Sequence, residues 1–133
     1  MQTADEAKTV LIVDDDVDFL EQTRLLLEEA GYRVVAADSQ AGAEELLAEV
    51  TPDLAILDLM MEHSDSGFVL AHRIKARDAS IPVILTTAVT SQTGFDFDAA
   101  GGAGGTWVKA DVILDKPVRF EQIMREIERL FRA

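Results

Sequence analysis

Short apolar runs alternate with amphipathic stretches along the whole chain. Residues 10–13, Val-Leu-Ile-Val, form an apolar run with β-branched side chains, the pattern of a strand buried on both faces. Asp14, Asp15 and Asp16 stop it. A helical stripe follows, with Leu20, Thr23, Leu27 and Ala30 in line and Leu26 beside it; Asp16 or Asp18 is placed to cap its start and Gly31 its end. Residues 33–37 read as a second strand. Ser39 is placed to cap a helix reaching Glu49, with Ala43, Leu46, Leu47 and Val50 facing inward and Pro52 ending it. Residues 54–57 form a third apolar strand that stops at Asp58, and a polar loop spans 60–66. Val69, Leu70 and Ile74 mark a helix over 67–77. Pro82 opens a fourth strand, 83–86, and a short fifth one covers 112–114. The last helix carries the clearest period: Phe120, Ile123, Met124, Ile127, Leu130 and Phe131.

Strands alternating with helices predict an α/β fold: a doubly wound, five-stranded parallel sheet flanked by helices, (βα)5 and flavodoxin-like in type. The exception is residues 90–111, where Gly94, Gly101, Gly102, Gly104 and Gly105 disfavour a long regular helix. An irregular fourth-helix region, loop-rich with one short helix, is expected there. The chain shows no internal repeat and no linker. Its 133 residues predict one domain over 9–133 after a flexible arm, 1–8. Because the last helix closes the sequence, no effector domain is expected to follow.

Composition narrows the function. The formal net charge is −13, which repels phosphate backbones and argues against a nucleic-acid partner. No run is long and apolar enough to span a bilayer, and the polar, partly acidic residues 1–8 do not form a signal peptide; a cytoplasmic protein with no membrane partner is expected. There is no cysteine, so thiolate and disulfide chemistry are excluded.

In open α/β sheets, ligands bind beyond the carboxyl ends of the strands. Asp14, Asp15 and Asp16 follow the first strand, Asp58 the third, Thr86 and Thr87 the fourth, and Asp115, Lys116 and Pro117 the fifth. Convergence of these ends puts several carboxylates, a hydroxyl and an ammonium in one cleft. Such carboxylates repel one another unless a cation lies between them, and oxygen-only ligands with room for water suit Mg²⁺. A carboxylate nucleophile, a metal, a lysine and a hydroxyl are what phosphoryl transfer to aspartate requires.

With these pieces in place the chain resembles a response-regulator receiver domain of two-component signalling, from about Lys8 to the end. The resemblance rests on Val-Leu-Ile-Val-Asp-Asp-Asp at 10–16, Pro-Asp-Leu-Ala-Ile-Leu-Asp-Leu-Met-Met at 52–61, Ile-Pro-Val-Ile-Leu-Thr-Thr-Ala at 81–88 and Asp-Lys-Pro at 115–117, in order and each at a strand end. It implies that Asp58 is the phosphoacceptor. Asp15 is then the direct Mg²⁺ ligand, Asp14 one acting mostly through water, and the Met60 carbonyl completes the protein ligands. Thr87 corresponds to the switch hydroxyl, Ala88 to the small residue beside it, Lys116 to the lysine that meets the phosphoryl group, and Pro117 to a cis-proline. The implied donor is a histidine kinase or phosphotransfer protein, the implied output a downstream protein target, and the implied state a monomer or weak homodimer. The implied chemistry is self-phosphorylation and self-dephosphorylation at Asp58, not turnover of an external substrate.

Several positions depart from the family. The proline after the acceptor is missing, and the loop to Gly67 is one residue longer. Ile113 stands where the family has its aromatic switch residue, leaving Trp107 or a phenylalanine of the inserted segment as a substitute. Met60 and Val89, both apolar, predict slow self-dephosphorylation. The segment 90–111 is expected to order on phosphorylation. These departures leave an alternative, a degenerate receiver acting as a phosphorylation-independent binding module. An aspartyl phosphohydrolase is disfavoured because Met60 stands where such enzymes carry a second aspartate. Thr86 is expected to face away from Thr87 in a structural role, and His63 and His72 to be solvated without catalytic function.

Overall fold

The computed structural model describes residues 7–59, 61, 65–87 and 110–132. Five parallel strands form one sheet in the order β2-β1-β3-β4-β5: β1 Thr9–Val13, β2 Arg33–Ala37, β3 Leu54–Asp58, β4 Val83–Thr87 and β5 Val112–Asp115. Four helices accompany them among the described residues: α1 Val17–Glu29, α2 Gln40–Leu47, α3 Ser66–Arg77 and α4 Phe120–Arg132. Any helix between β4 and β5 falls in 88–109, outside the described residues.

The two faces of the sheet hold separate cores, because successive strand side chains point to opposite faces. Leu11, Val13, Ala55, Leu57, Val83 and Leu85 pack with Ala43 and Leu47 of α2 and Leu70, Ala71 and Ile74 of α3. Val10, Ile12, Leu54, Ile56 and Ile84 pack with Leu20 and Leu27 of α1 and Ile123 and Ile127 of α4. Both faces of β1, β3 and β4 are therefore apolar, which is why those strands read as continuous hydrophobic runs.

The helix ends follow local chemistry. The Asp16 side chain accepts from the N–H groups of Asp18 and Phe19 and so caps α1; Asp18 does not take that role. Gly31, at φ 104°, closes α1: its N–H donates to Glu28 O at 3.0 Å and the Tyr32 N–H to Leu27 O at 3.1 Å, a Schellman pair that needs the left-handed conformation glycine tolerates. Ser39 caps α2 by accepting from Gly42 N–H at 3.0 Å.

Some expected boundaries move. α2 ends at Leu47, with Ala48 as its C-cap, instead of reaching Glu49. Ala30 is exposed at the end of α1 instead of lying on its buried stripe. β4 extends to Thr87 and β5 to Asp115, because ladder pairing carries both strands past their apolar runs: Thr87 stands opposite Asp115. Lys8, the last residue of the expected arm, has its carbonyl accepting from Arg33 N–H at 2.9 Å and its ammonium 5.5 Å from the Phe131 ring. Residues 1–6 of the expected arm lie outside the described residues.

Candidate functional site

The chain reverses its direction of travel across the sheet at β1, whose neighbours are β2 and β3, and such a switch point leaves a crevice at the strands' carboxyl ends. Val13 stands opposite Leu57, so Asp14 follows β1 beside the end of β3, where Asp58 is the last residue. Both are buried, at 1% and 5% exposure, whereas Asp15 is exposed. One carboxylate oxygen from each of Asp14, Asp15 and Asp58 lies within 4.8 Å of the others.

Lys116 reaches this cluster from the end of β5. Its Nζ lies 3.2 Å from Asp58 Oδ1 and 3.3 Å from Asp14 Oδ2. The contact with Asp14 is an ion pair without hydrogen-bond alignment, and Oδ2 has no hydrogen-bond partner among the described residues. Asp14 Oδ1 accepts from Asp16 N–H at 2.9 Å. The Lys116–Pro117 peptide bond is cis.

The electrostatics reflect crowding. Burial, then the neighbouring Asp14 charge, pushes the Asp58 carboxyl up to about 6, against a smaller opposing pull from Lys116. Burial also raises Asp14, more than the Asp16 N–H and Lys116 lower it. Burial alone would lower the Lys116 ammonium, but the charges of Asp14 and Asp58 outweigh it and hold it above its usual value. Two buried carboxylates sharing one lysine are undercompensated. An all-oxygen donor set, a buried carboxylate oxygen without a hydrogen bond and a carboxyl displaced upward together fit a divalent cation.

The backbone of β4 ties the site together. Leu59 N–H donates to Thr86 O at 2.9 Å, and Lys116 N–H donates to Thr87 O at 2.8 Å. Thr87 is buried at 1% exposure, one residue beyond the pair formed by Asp58 and Thr86. On the opposite flank, Gly67 N–H donates to Leu59 O at 2.8 Å. A Cβ on Gly67 would lie 2.6 Å from Leu59 Cα and 2.7 Å from Asp58 O, so only glycine lets α3 approach β3 this closely.

Of the residues predicted from sequence, Asp14, Asp15, Asp58 and Lys116 come together, and Thr87 stands at the same sheet edge. Met60, His63, Ala88, Val89, Trp107 and the stretch 90–109 lie outside the described residues. Ile113 is half-buried and packs against the α2–α3 core. Sequence reasoning missed the close approach of Gly67. A glycine next to a polar loop was its only signal, and that does not distinguish a turn from a helix–strand contact.

Residues 10–128 match the response regulator receiver domain family. The chain belongs to that family. It is 31% identical over 124 residues to the transcriptional regulatory protein PhoP of Escherichia coli K12, a match covering 92% of this chain and 52% of PhoP. The chain thus spans about half the length of the curated relatives it matches. Among solved structures it resembles the non-phosphorylated HemR receiver domain of Leptospira biflexa, with a TM-score of 0.77, 28% identity and 95% of each chain covered. The CheY-like receiver domain of Methanospirillum hungatei gives a TM-score of 0.78 at 24% identity, again over 95% of each chain, a likeness of fold. This receiver is a signalling domain whose acidic pocket fits a phosphoacceptor aspartate and a metal ion. No helix of its described residues is long and apolar enough to cross a membrane.

Proposed function

We propose that Asp58 accepts a phosphoryl group from the phosphohistidine of a histidine kinase or phosphotransfer protein, in a two-component or phosphorelay system. The observation that carries this reading is the Lys116 ammonium bridging Asp58 at 3.2 Å and Asp14 at 3.3 Å, with Asp15 beside them. A carboxylate oxygen of Asp58 forms the new O–P bond while the donor's P–N bond breaks, and its electron pair returns to the imidazole nitrogen. Asp14, Asp15, Asp58 and the Met60 carbonyl are the groups that would hold Mg²⁺, which when bound supplies charge neutralisation on the phosphoryl oxygens. Lys116 provides a second positive charge, and the Thr87 hydroxyl a donor to the phosphoryl group. The product, an aspartyl phosphate, changes an output surface read by a downstream protein.

The domain spans 9–133, is cytoplasmic, and acts as a monomer or weak homodimer. It turns over no external substrate. The charge argument against nucleic acid concerns residues 1–133 alone, because the PhoP relatives are transcriptional regulators about twice as long. The degenerate binding module gains no support from the site, where the lysine contacts both buried carboxylates.

The test is intact-mass measurement after incubation with Mg²⁺ and acetyl phosphate. One added phosphoryl group is expected, absent in Asp58→Ala and without Mg²⁺. A wild-type protein that neither gains the group nor binds beryllofluoride sinks the reading.

A further inference from the structure

Thr86 is 1% exposed, and its Oγ1 has no hydrogen-bond partner among the described residues. Its place in the sheet is specific. Asp58 and Thr86 stand directly opposite each other across β3 and β4. Side chains alternate along β4, so Thr86 shares the face of Ile84, the face that also carries Ile12 and Ile56. Asp14 and Asp58 continue the Ile12 and Ile56 rows on that face. Lys116 starts at the end of β5 yet its ammonium reaches Asp58 on β3 and Asp14 beyond β1, and β4 lies between β5 and β3 in the sheet. On the face that carries Asp14 and Asp58, the last described β4 residue is Thr86.

A threonine serving only to fill space here would do better as valine, which has the same shape and buries no unpaired hydroxyl. Buried hydroxyls nearly always have partners. Thr86 pairs across the ladder with Asp58, whose carboxylate Lys116 contacts, so a shift of the lysine away from Asp58 is the change of the site that offers the orphan hydroxyl a donor.

We propose that Thr86 is a positioning residue for phosphoryl transfer: its hydroxyl accepts a hydrogen bond from the Lys116 ammonium as the lysine turns from Asp58 toward the phosphoryl group. Thr86 thereby fixes where the lysine's charge is delivered without touching the phosphoryl group. This inference rests on the reading of Asp58 as acceptor.

The experiment compares wild type, Thr86→Val and Thr86→Ser in Mg²⁺ and acetyl phosphate, following phosphoryl gain by intact mass and thermal stability in parallel. Thr86→Val is expected to phosphorylate about tenfold more slowly, the loss of one hydrogen bond to a charged group. Its melting temperature should stay at or above that of wild type, and Thr86→Ser should restore the rate. A second readout is the ¹⁵N–¹H signal of the Lys116 ammonium in the beryllofluoride-bound protein. It should be protected from exchange in wild type and Thr86→Ser, and lost in Thr86→Val. If Thr86→Val does not fold, Thr86→Ala against Thr86→Ser isolates the same hydroxyl. Equal rates in Thr86→Val and a wild type that labels, or a folded Thr86→Ser as slow as Thr86→Val, overturn this inference alone. A wild type that neither labels nor binds beryllofluoride overturns the acceptor reading and this inference with it.

Discussion

At the N-terminal edge of the sheet, Asp53 accepts from Thr9 N–H at 2.8 Å, while Asp111 accepts from Val83 N–H at 2.8 Å and pairs with Lys75 at 2.8 Å. At the C-terminal edge, Asp14 and Asp58 share one lysine at longer range, and a buried oxygen of Asp14 goes without a hydrogen bond. The same residue type is satisfied at one end and strained at the other. The first end spends its carboxylates on tying the start of β3 to β1 and the start of β5 to β4. The second holds undercompensated charge, which fits a cation and, in the function proposed above, a phosphoryl group. Stability and chemistry are thus separated along the strand axis, and substitutions of aspartate should carry opposite signs at the two ends.

The largest expected effect is at Asp58. Its carboxyl sits at about 6 in the fold, against 3.8 for the ordinary side chain. Below pH 3.8 both folded and unfolded chains carry the proton, and no penalty arises. As pH rises to about 6, the unfolded chain ionises first, so the fold loses stability, and the loss levels off above that. Asp58→Asn removes the penalty and is expected to stabilise the metal-free protein by about 3 kcal/mol at pH 8 and about half that at pH 5. Chemical denaturation at the two pH values measures it. Saturating Mg²⁺ should stabilise wild type more than the variant and narrow the gap. An Asp58→Asn protein less stable than wild type at pH 8 would break the comparison.

Asp111→Ala should act the other way, destabilising by about 2 kcal/mol, because it leaves the Val83 N–H and the half-buried Lys75 without this carboxylate. Phosphorylation with acetyl phosphate should be unchanged in the folded variant, since Asp111 stands at the far end of the strands. The smallest effect is at Asp53, whose bond to Thr9 is exposed: about 1 kcal/mol lost in Asp53→Ala, read as a shift in the denaturation midpoint.

The fold was legible because residues 54–57 and 83–85 are apolar on both faces and alternate with helical stretches, the pattern of a parallel sheet covered on both sides. The acidic cluster was legible because strand order brings strand ends together. What periodicity does not carry is register across strands. Thr86 could be assigned a face from sequence but not a neighbour, and its pairing with Asp58 emerged only from the ladder. Asp111 read as the tail of a glycine-rich segment, because nothing local reveals that its carboxylate reaches the first residue of β4 and a lysine of α3. The end of α2 was misplaced by two residues because Pro52 sets an outer limit to a helix and not its last turn.

The hydrogen bond from Gly67 to Leu59 closes a loop whose two ends cannot move apart without losing the fit of α3 against β3. The entropy of closing such a loop grows only with the logarithm of its length, so one residue added between fixed ends costs about 0.1 kcal/mol. Insertions in the rim are therefore nearly free, while a single methyl group at the staple is not. Length can vary between these two fixed ends while β3 stays where it is.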